Sequence, residues 1–148
     1  MDRKSVFEQL KIDEGVKYYV YMDHLGYPTF GVGHLILDTD EESGKPMGAT
    51  VSEERVQECF EKDLDIAISE CEVMFGKETW CEFPGEVQEI CVNMMFNLGR
   101  PRFSKFKNTI KYFKSKDWSK AATEARDSRW YNQVGNRAER LCKRLEGV

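Results

Sequence analysis

The change of hydrophobic period at Gly15 constrains this chain more than any other feature. Before it, Ser5 and Glu8 read as a capping box, and Val6, Phe7 and Leu10 recur at helical spacing, which predicts a first helix ending at Glu14. After it, Tyr18-Tyr19-Val20-Tyr21 and Thr29-Phe30-Gly31-Val32 favour strands, and His24-Leu25-Gly26 can turn between them, so a small antiparallel sheet follows. Residues 38–50 are polar and rich in turn formers and read as a surface loop. Ser52 then caps a long helix with Glu53 and Glu54 in its first turn; Val56, Phe60, Leu64, Ala67, Ile68 and Cys71 form its apolar stripe, which runs to about Gly76. Pro84 opens another helix that Gly99 closes, and shorter helices fit 104–115, 118–126 and 136–146. The order implies an α+β fold in one domain. A sheet lobe of about 15–50 is expected beside a helical lobe of about 52–148, with the N-terminal helix packing on the helices and a cleft between lobes.

Composition excludes several classes. With 148 residues, 41% of them hydrophobic, the chain can build a packed core. No apolar run approaches the ~20 residues a membrane helix needs. Charges interrupt the first eleven residues, so no export signal is expected there. Five cysteines, without a Cys-x-x-Cys pair or a neighbouring histidine, read as buried free thiols and not as a zinc site. Gly31-Val32-Gly33 lacks the third glycine and following helix of a nucleotide loop; paired glycines in a strand instead let backbone or substrate come close.

Charge is unevenly spread. Residues 1–99 carry 8 basic and 21 acidic side chains, and residues 100–148 carry 14 and 5, within an overall charge of −4. The second part therefore offers a basic surface suited to a polyanion, whether nucleic acid or the teichoic or lipid phosphates of a cell envelope, or else a set of solvated helix faces.

Cleavage of a glycosidic bond needs one protonated carboxylic acid and, for inversion, a second ionised carboxylate spaced for an intervening water. Glu14 stands where the negative end of a helix dipole opposes ionisation, which suits the acid. Asp23 lies beside the hairpin turn, where solvent and hydroxyls favour charge, and Thr29 follows on the returning strand, where its hydroxyl can help hold water.

Longer stretches carry a resemblance. Ile12-Asp13-Glu14-Gly15, the run from Tyr21-Met22-Asp23 to Gly31-Val32-Gly33-His34-Leu35, Asn93-Met94-Met95-Phe96-Asn97-Leu98-Gly99, Ser128-Arg129-Trp130-Tyr131-Asn132-Gln133 and Asn136-Arg137-Ala138 resemble the T-even-type phage lysozymes. The resemblance implies a lysozyme-like fold and an inverting muramidase that needs no cofactor, cutting between N-acetylmuramic acid and N-acetylglucosamine. It implies Glu14 as general acid, Asp23 as base and Thr29 as the residue that positions water. Arg137 matches an arginine that pairs with the catalytic glutamate, and His34 a histidine ion-paired with the position of Asp63. Leu35, Phe96 and Thr109 match sugar-contacting positions, with Thr109 in place of a serine. Glu124 replaces an asparagine that contacts substrate, and the loop after His34 is shorter. Trp118, Trp130, Met94 and Met95, at helical spacing, read as core and not as sugar platforms.

The expected partner is bacterial peptidoglycan, with no nucleic acid and no membrane insertion, and the expected state is a monomer. Such a protein would be made in the host cytoplasm and reach the wall after release, with a holin if it is an endolysin, or act from a virion. Two other readings stand beside this one: a lytic transglycosylase, which would need only Glu14, and a peptidoglycan-binding protein without turnover.

Overall fold

The computed structural model describes residues 1–148. The elements are α1 (Arg3–Glu14), β1 (Lys17–Met22), β2 (Pro28–Gly31), β3 (His34–Leu35), α2 (Glu53–Phe75), α3 (Lys77–Glu82), α4 (Gly85–Phe103), α5 (Lys107–Lys114), α6 (Trp118–Arg126), α7 (Arg129–Val134) and α8 (Asn136–Glu146). This is the expected α+β class, with one antiparallel sheet in the order β1-β2-β3. Two compact units divide the chain: Arg3–Ile66, and Ala67–Val148 together with Met1–Asp2. The first helix thus groups with the sheet, and the division falls within α2 and not in the polar loop before Ser52.

In the unit Arg3–Ile66, α1 buries Val6 and Leu10, and the Phe7 ring lies 4.5 Å from that of Phe60 on α2. The helix starts at Arg3, so Ser5 lies inside it and the capping box of Ser5 and Glu8 does not form. Arg3 instead bonds across to α2, 2.7 Å from Glu61 and 2.9 Å from Asp65. At the other end the helix stops at Glu14 as expected, because Gly15 takes a φ of 76° that side chains with a Cβ disfavour.

The hairpin of β1 and β2 sets Tyr21 opposite Thr29 and Met22 opposite Pro28, with an irregularity between Lys17 and Tyr21. Strand β3, too short to show alternation in sequence, pairs His34 with Phe30 and Leu35 with Thr29. The segment read as a surface loop is tied at its end: Gly48 N–H donates to Val20 O at 2.7 Å, and Val51 N–H to Tyr18 O at 2.9 Å, along the outer edge of β1. Ser52 caps α2 as expected, its Oγ accepting from Arg55 N at 3.1 Å. Of the stripe on α2, Val56, Phe60, Leu64, Ala67 and Cys71 are buried.

In the unit Ala67–Val148, rings form the core. Phe75 lies 5.1 to 6.2 Å, centroid to centroid, from Trp80, Phe83, Phe103 and Phe113. Trp118 closes the cluster against Phe83 and Phe113. Trp130, Met94 and Met95 are buried, as core residues should be, and Trp130 Nε1–H donates to Asn97 Oδ1 at 2.6 Å. Gly99 interrupts the helical backbone of α4 with a φ of 73°. The short helices α3 and α7 were not foreseen; at six residues each they hold too few apolar repeats to show a period. All five cysteines are free thiols, four of them buried and Cys81 exposed.

Candidate active site

The end of α1 and the first hairpin bring the three expected catalytic side chains into one unit. The register sets Tyr21 directly opposite Thr29, and Asp23 follows the last residue of β1, at the start of the turn that joins the two strands. A Cβ placed on Gly33 would lie 3.9 Å from Glu14 Oε2, so the Glu14 carboxylate sits over the turn that follows β2. The Tyr21 phenol has its pKa raised by burial and then by the negative charges of Asp23 and Glu14, which marks it as the side chain both carboxylates approach. Sequence reasoning gave Tyr21 a place in the strand and in the resembling stretch but no role in the site; its position two residues before Asp23 was the available signal.

The turn itself prepares Asp23. Its Oδ1 accepts from Leu25 N at 2.9 Å and Tyr27 N at 2.8 Å, closing a tight hydrogen-bonded turn around the carboxylate. Both bonds use one oxygen. Oδ2 has no protein donor and can serve a water. Thr29 is 2% exposed, and its hydroxyl donates to Tyr27 O at 2.9 Å, which leaves its oxygen lone pairs to accept.

Behind the hairpin lies a polar network. His34 is buried beside Phe30, with Nδ1 2.7 Å from Asp63 and Nε2 2.8 Å from Asp40. Burial alone would lower its pKa, but the hydrogen bonds to Asp63 and Asp40 outweigh burial and hold the imidazole above the usual histidine value. Asp40 shows the opposite balance: burial would raise its pKa, yet the Leu37 N–H and His34 leave it lowered. Arg55 extends the network, with Nε 2.8 Å and Nη2 2.9 Å from the carboxylate of Glu42, which is 3% exposed. The expected His34 and Asp63 pair is therefore present in geometry; Asp40, Glu42 and Arg55 were missed. The loop residues looked like solvated acids because their arginine lies on α2.

The remaining expected residues lie on β3 and on four helices of the other unit. Leu35 is half exposed on β3. In the helical unit, Phe96 is half-buried on α4, Glu124 half-buried on α6, and Thr109 buried on α5. Arg137 on α8 donates from Nε to Asn93 Oδ1 at 2.9 Å and from Nη2 to Asn93 O at 3.2 Å.

The fold defines the class: a small antiparallel sheet within a mainly helical chain, in the lysozyme-like α+β manner. The model of the phage lysozyme family matches residues 11–146, and the chain belongs to that family. Similar proteins include probable T4-type lysozyme 1 of Dictyostelium discoideum, 30% identical over 96% of this chain and 94% of that protein. The pre-baseplate central spike protein Gp5 of Enterobacteria phage T4 is 29% identical over 93% of this chain and 27% of its own length. Peptidoglycan hydrolase gp36 of Pseudomonas phage phiKMV is 30% identical over 98% of this chain and 16% of its own. The chain is accordingly an enzyme of the lysozyme class. No helix is long and apolar enough to cross a membrane.

Proposed function

We propose that the chain hydrolyses the β-1,4 bond from N-acetylmuramic acid to N-acetylglucosamine in bacterial peptidoglycan, with inversion. Glu14 gives its proton to the leaving glycosidic oxygen as the bond to the anomeric carbon breaks. Water attacks that carbon from the opposite face and passes a proton to Asp23. Thr29 accepts a hydrogen bond from the same water and so aims its lone pair.

One observation carries this reading above the others: Asp23 has one oxygen fixed by two backbone N–H groups and the other without a protein donor, in the turn of the hairpin whose second strand holds Thr29. A lytic transglycosylase has no use for such a carboxylate, since its nucleophile belongs to the sugar. In the same proposal Leu35, Phe96, Glu124 and Thr109 contact the glycan, Thr109 after a local opening of its buried site, and Arg137 supports the acid. The enzyme would serve phage entry or release, in the latter case after a holin opens the membrane.

Digestion of purified peptidoglycan in heavy-oxygen water tests the reaction. Reducing muramic ends that carry the heavy oxygen, formed first as the α anomer, are expected by mass spectrometry and NMR. Ends dominated by 1,6-anhydromuramic acid would assign the transglycosylase. Binding of glycan by folded protein without any cleavage would assign the silent binder.

A further inference from the structure

Cations of the basic second part differ in their partners. Arg100, Lys116, Arg126 and Arg144 each meet a glutamate, and Lys120 meets Asp117. By contrast Arg102, Lys105, Lys107, Lys111, Lys114 and Arg129 are exposed and have no carboxylate partner. No acidic residue occurs from Ile90 to Lys116, in a chain that holds 26 of them.

These six cations are arranged, whereas Lys143, likewise exposed without a carboxylate partner, lies apart in sequence on α8. Arg102, Lys105 and Arg129 line a surface pocket of about 330 Å³, with Ser128 and Gln133 as further polar groups, Leu98, Phe106 and Trp130 as its apolar lining, and no carboxylate. Lys107, Lys111 and Lys114 recur at i, i+4 and i+7 on α5, a single stripe roughly 10 Å long on the side away from the buried Thr109 and Phe113. The stripe begins two residues after Lys105, so a polymer that seats one anionic group in the pocket can continue along the helix.

We propose that this surface binds a phosphodiester-linked polyol of the bacterial wall, a glycerol-phosphate polymer of the teichoic type. The inference goes beyond the muramidase reading, and its binding test does not depend on turnover. Unpaired cations favour a strong anion repeated along a chain. No large hydrophobic residue between Met74 and Gly147 is exposed, so the surface lacks the wedge that would insert into a bilayer.

The experiment is fluorescence anisotropy with labelled glycerol-phosphate polymer, from low to moderate salt. It compares the wild type with Arg102→Gln/Lys105→Gln/Arg129→Gln, with Lys107→Gln/Lys111→Gln/Lys114→Gln, and with Lys45→Gln/Lys62→Gln/Lys77→Gln, which removes equal charge elsewhere. Circular dichroism checks that each is folded. The first two variants are expected to bind at least tenfold more weakly, each with a logarithmic salt slope shallower by about 2, near 0.7 per cation lost; the third should stay within about twofold. Equal weakening by all three, or no binding by the wild type, would overturn the site. Tighter wild-type binding to anionic phospholipid vesicles or to duplex DNA, lost in the same variants, would overturn the choice of partner.

Discussion

The two units reach stability by different chemistry. In Ala67–Val148, Phe75, Trp80, Phe83, Phe103, Phe113 and Trp118 form one cluster of six rings, and no charged residue is fully buried. In Arg3–Ile66, ion pairs run inward: His34 between Asp40 and Asp63, and Arg55 on a buried Glu42. A short sheet buries little apolar area, so directional bonds must fix what packing leaves loose. The proposed catalytic groups lie in that second kind of unit. Its hairpin is clamped at both ends, by the Asp23 turn on one side and by His34 on the other, which suits a site that must hold one water in one place.

The comparison can be broken at several points. The largest expected effect is chemical: Asp23→Asn should lower glycan hydrolysis by a factor of about 10³, within the range for a positioned acid or base and equal to roughly 4 kcal/mol in the barrier. Thermal melting should stay close to wild type, and a rate equal to wild type would move water activation elsewhere. Next, Phe75→Ala should destabilise the protein by about 3–5 kcal/mol in denaturant titration, because the cavity opens among four neighbouring rings that cannot collapse into it. A loss under about 1 kcal/mol would mean that the ring cluster does not carry its unit.

His34→Gln should cost about 2–3 kcal/mol, since two partly buried carboxylates lose their shared partner. That cost has a pH signature. The folded pKa of His34 is raised, so its contribution is full below the unfolded value of about 6.5 and is lost as pH rises through the folded value. Asp40 is lowered, so its share is present above about 3.9 and is lost as pH falls through its folded value. The difference between wild type and His34→Gln should therefore be greatest between about pH 4 and 6.5 and shrink in mild alkali. A difference that does not change with pH would make the histidine a packing residue only.

The smallest effect concerns the thiols. Burial pushes Cys59 and Cys142 up to about 11 and raises Cys71 and Cys91 further, whereas Cys81 is exposed. A thiol reagent should titrate one cysteine in native protein and five after unfolding, and rapid labelling of more than one would show that these cores open readily.

Much of this was legible in the sequence, and the exceptions share a cause. The boundary at Glu14, the hairpin, the capped α2 and the helices from Trp118 and Asn136 follow from local signals such as glycine, serine caps and period. The capping box does not set the helix start, which lies three residues earlier at Arg3, where that side chain pairs with Glu61 and Asp65 on α2. Asp40 and Glu42 look like loop surface because their partners lie outside the loop, His34 on β3 and Arg55 on α2. Glu14 and Asp23 could be named because resemblance singled them out among 26 acidic residues, and Thr29 because it came with them; spacing alone could not have done so.

The most direct test of the central claim is turbidity clearing of outer-membrane-stripped bacteria by the wild type and by Glu14→Gln, with equal folding checked by circular dichroism. Clearing by the wild type and a loss of about 10³-fold or more in the variant is the expected result, since an amide cannot give a proton to the leaving oxygen. Retention of most of the clearing by folded Glu14→Gln would contradict the assignment of the acid and the mechanism built on it.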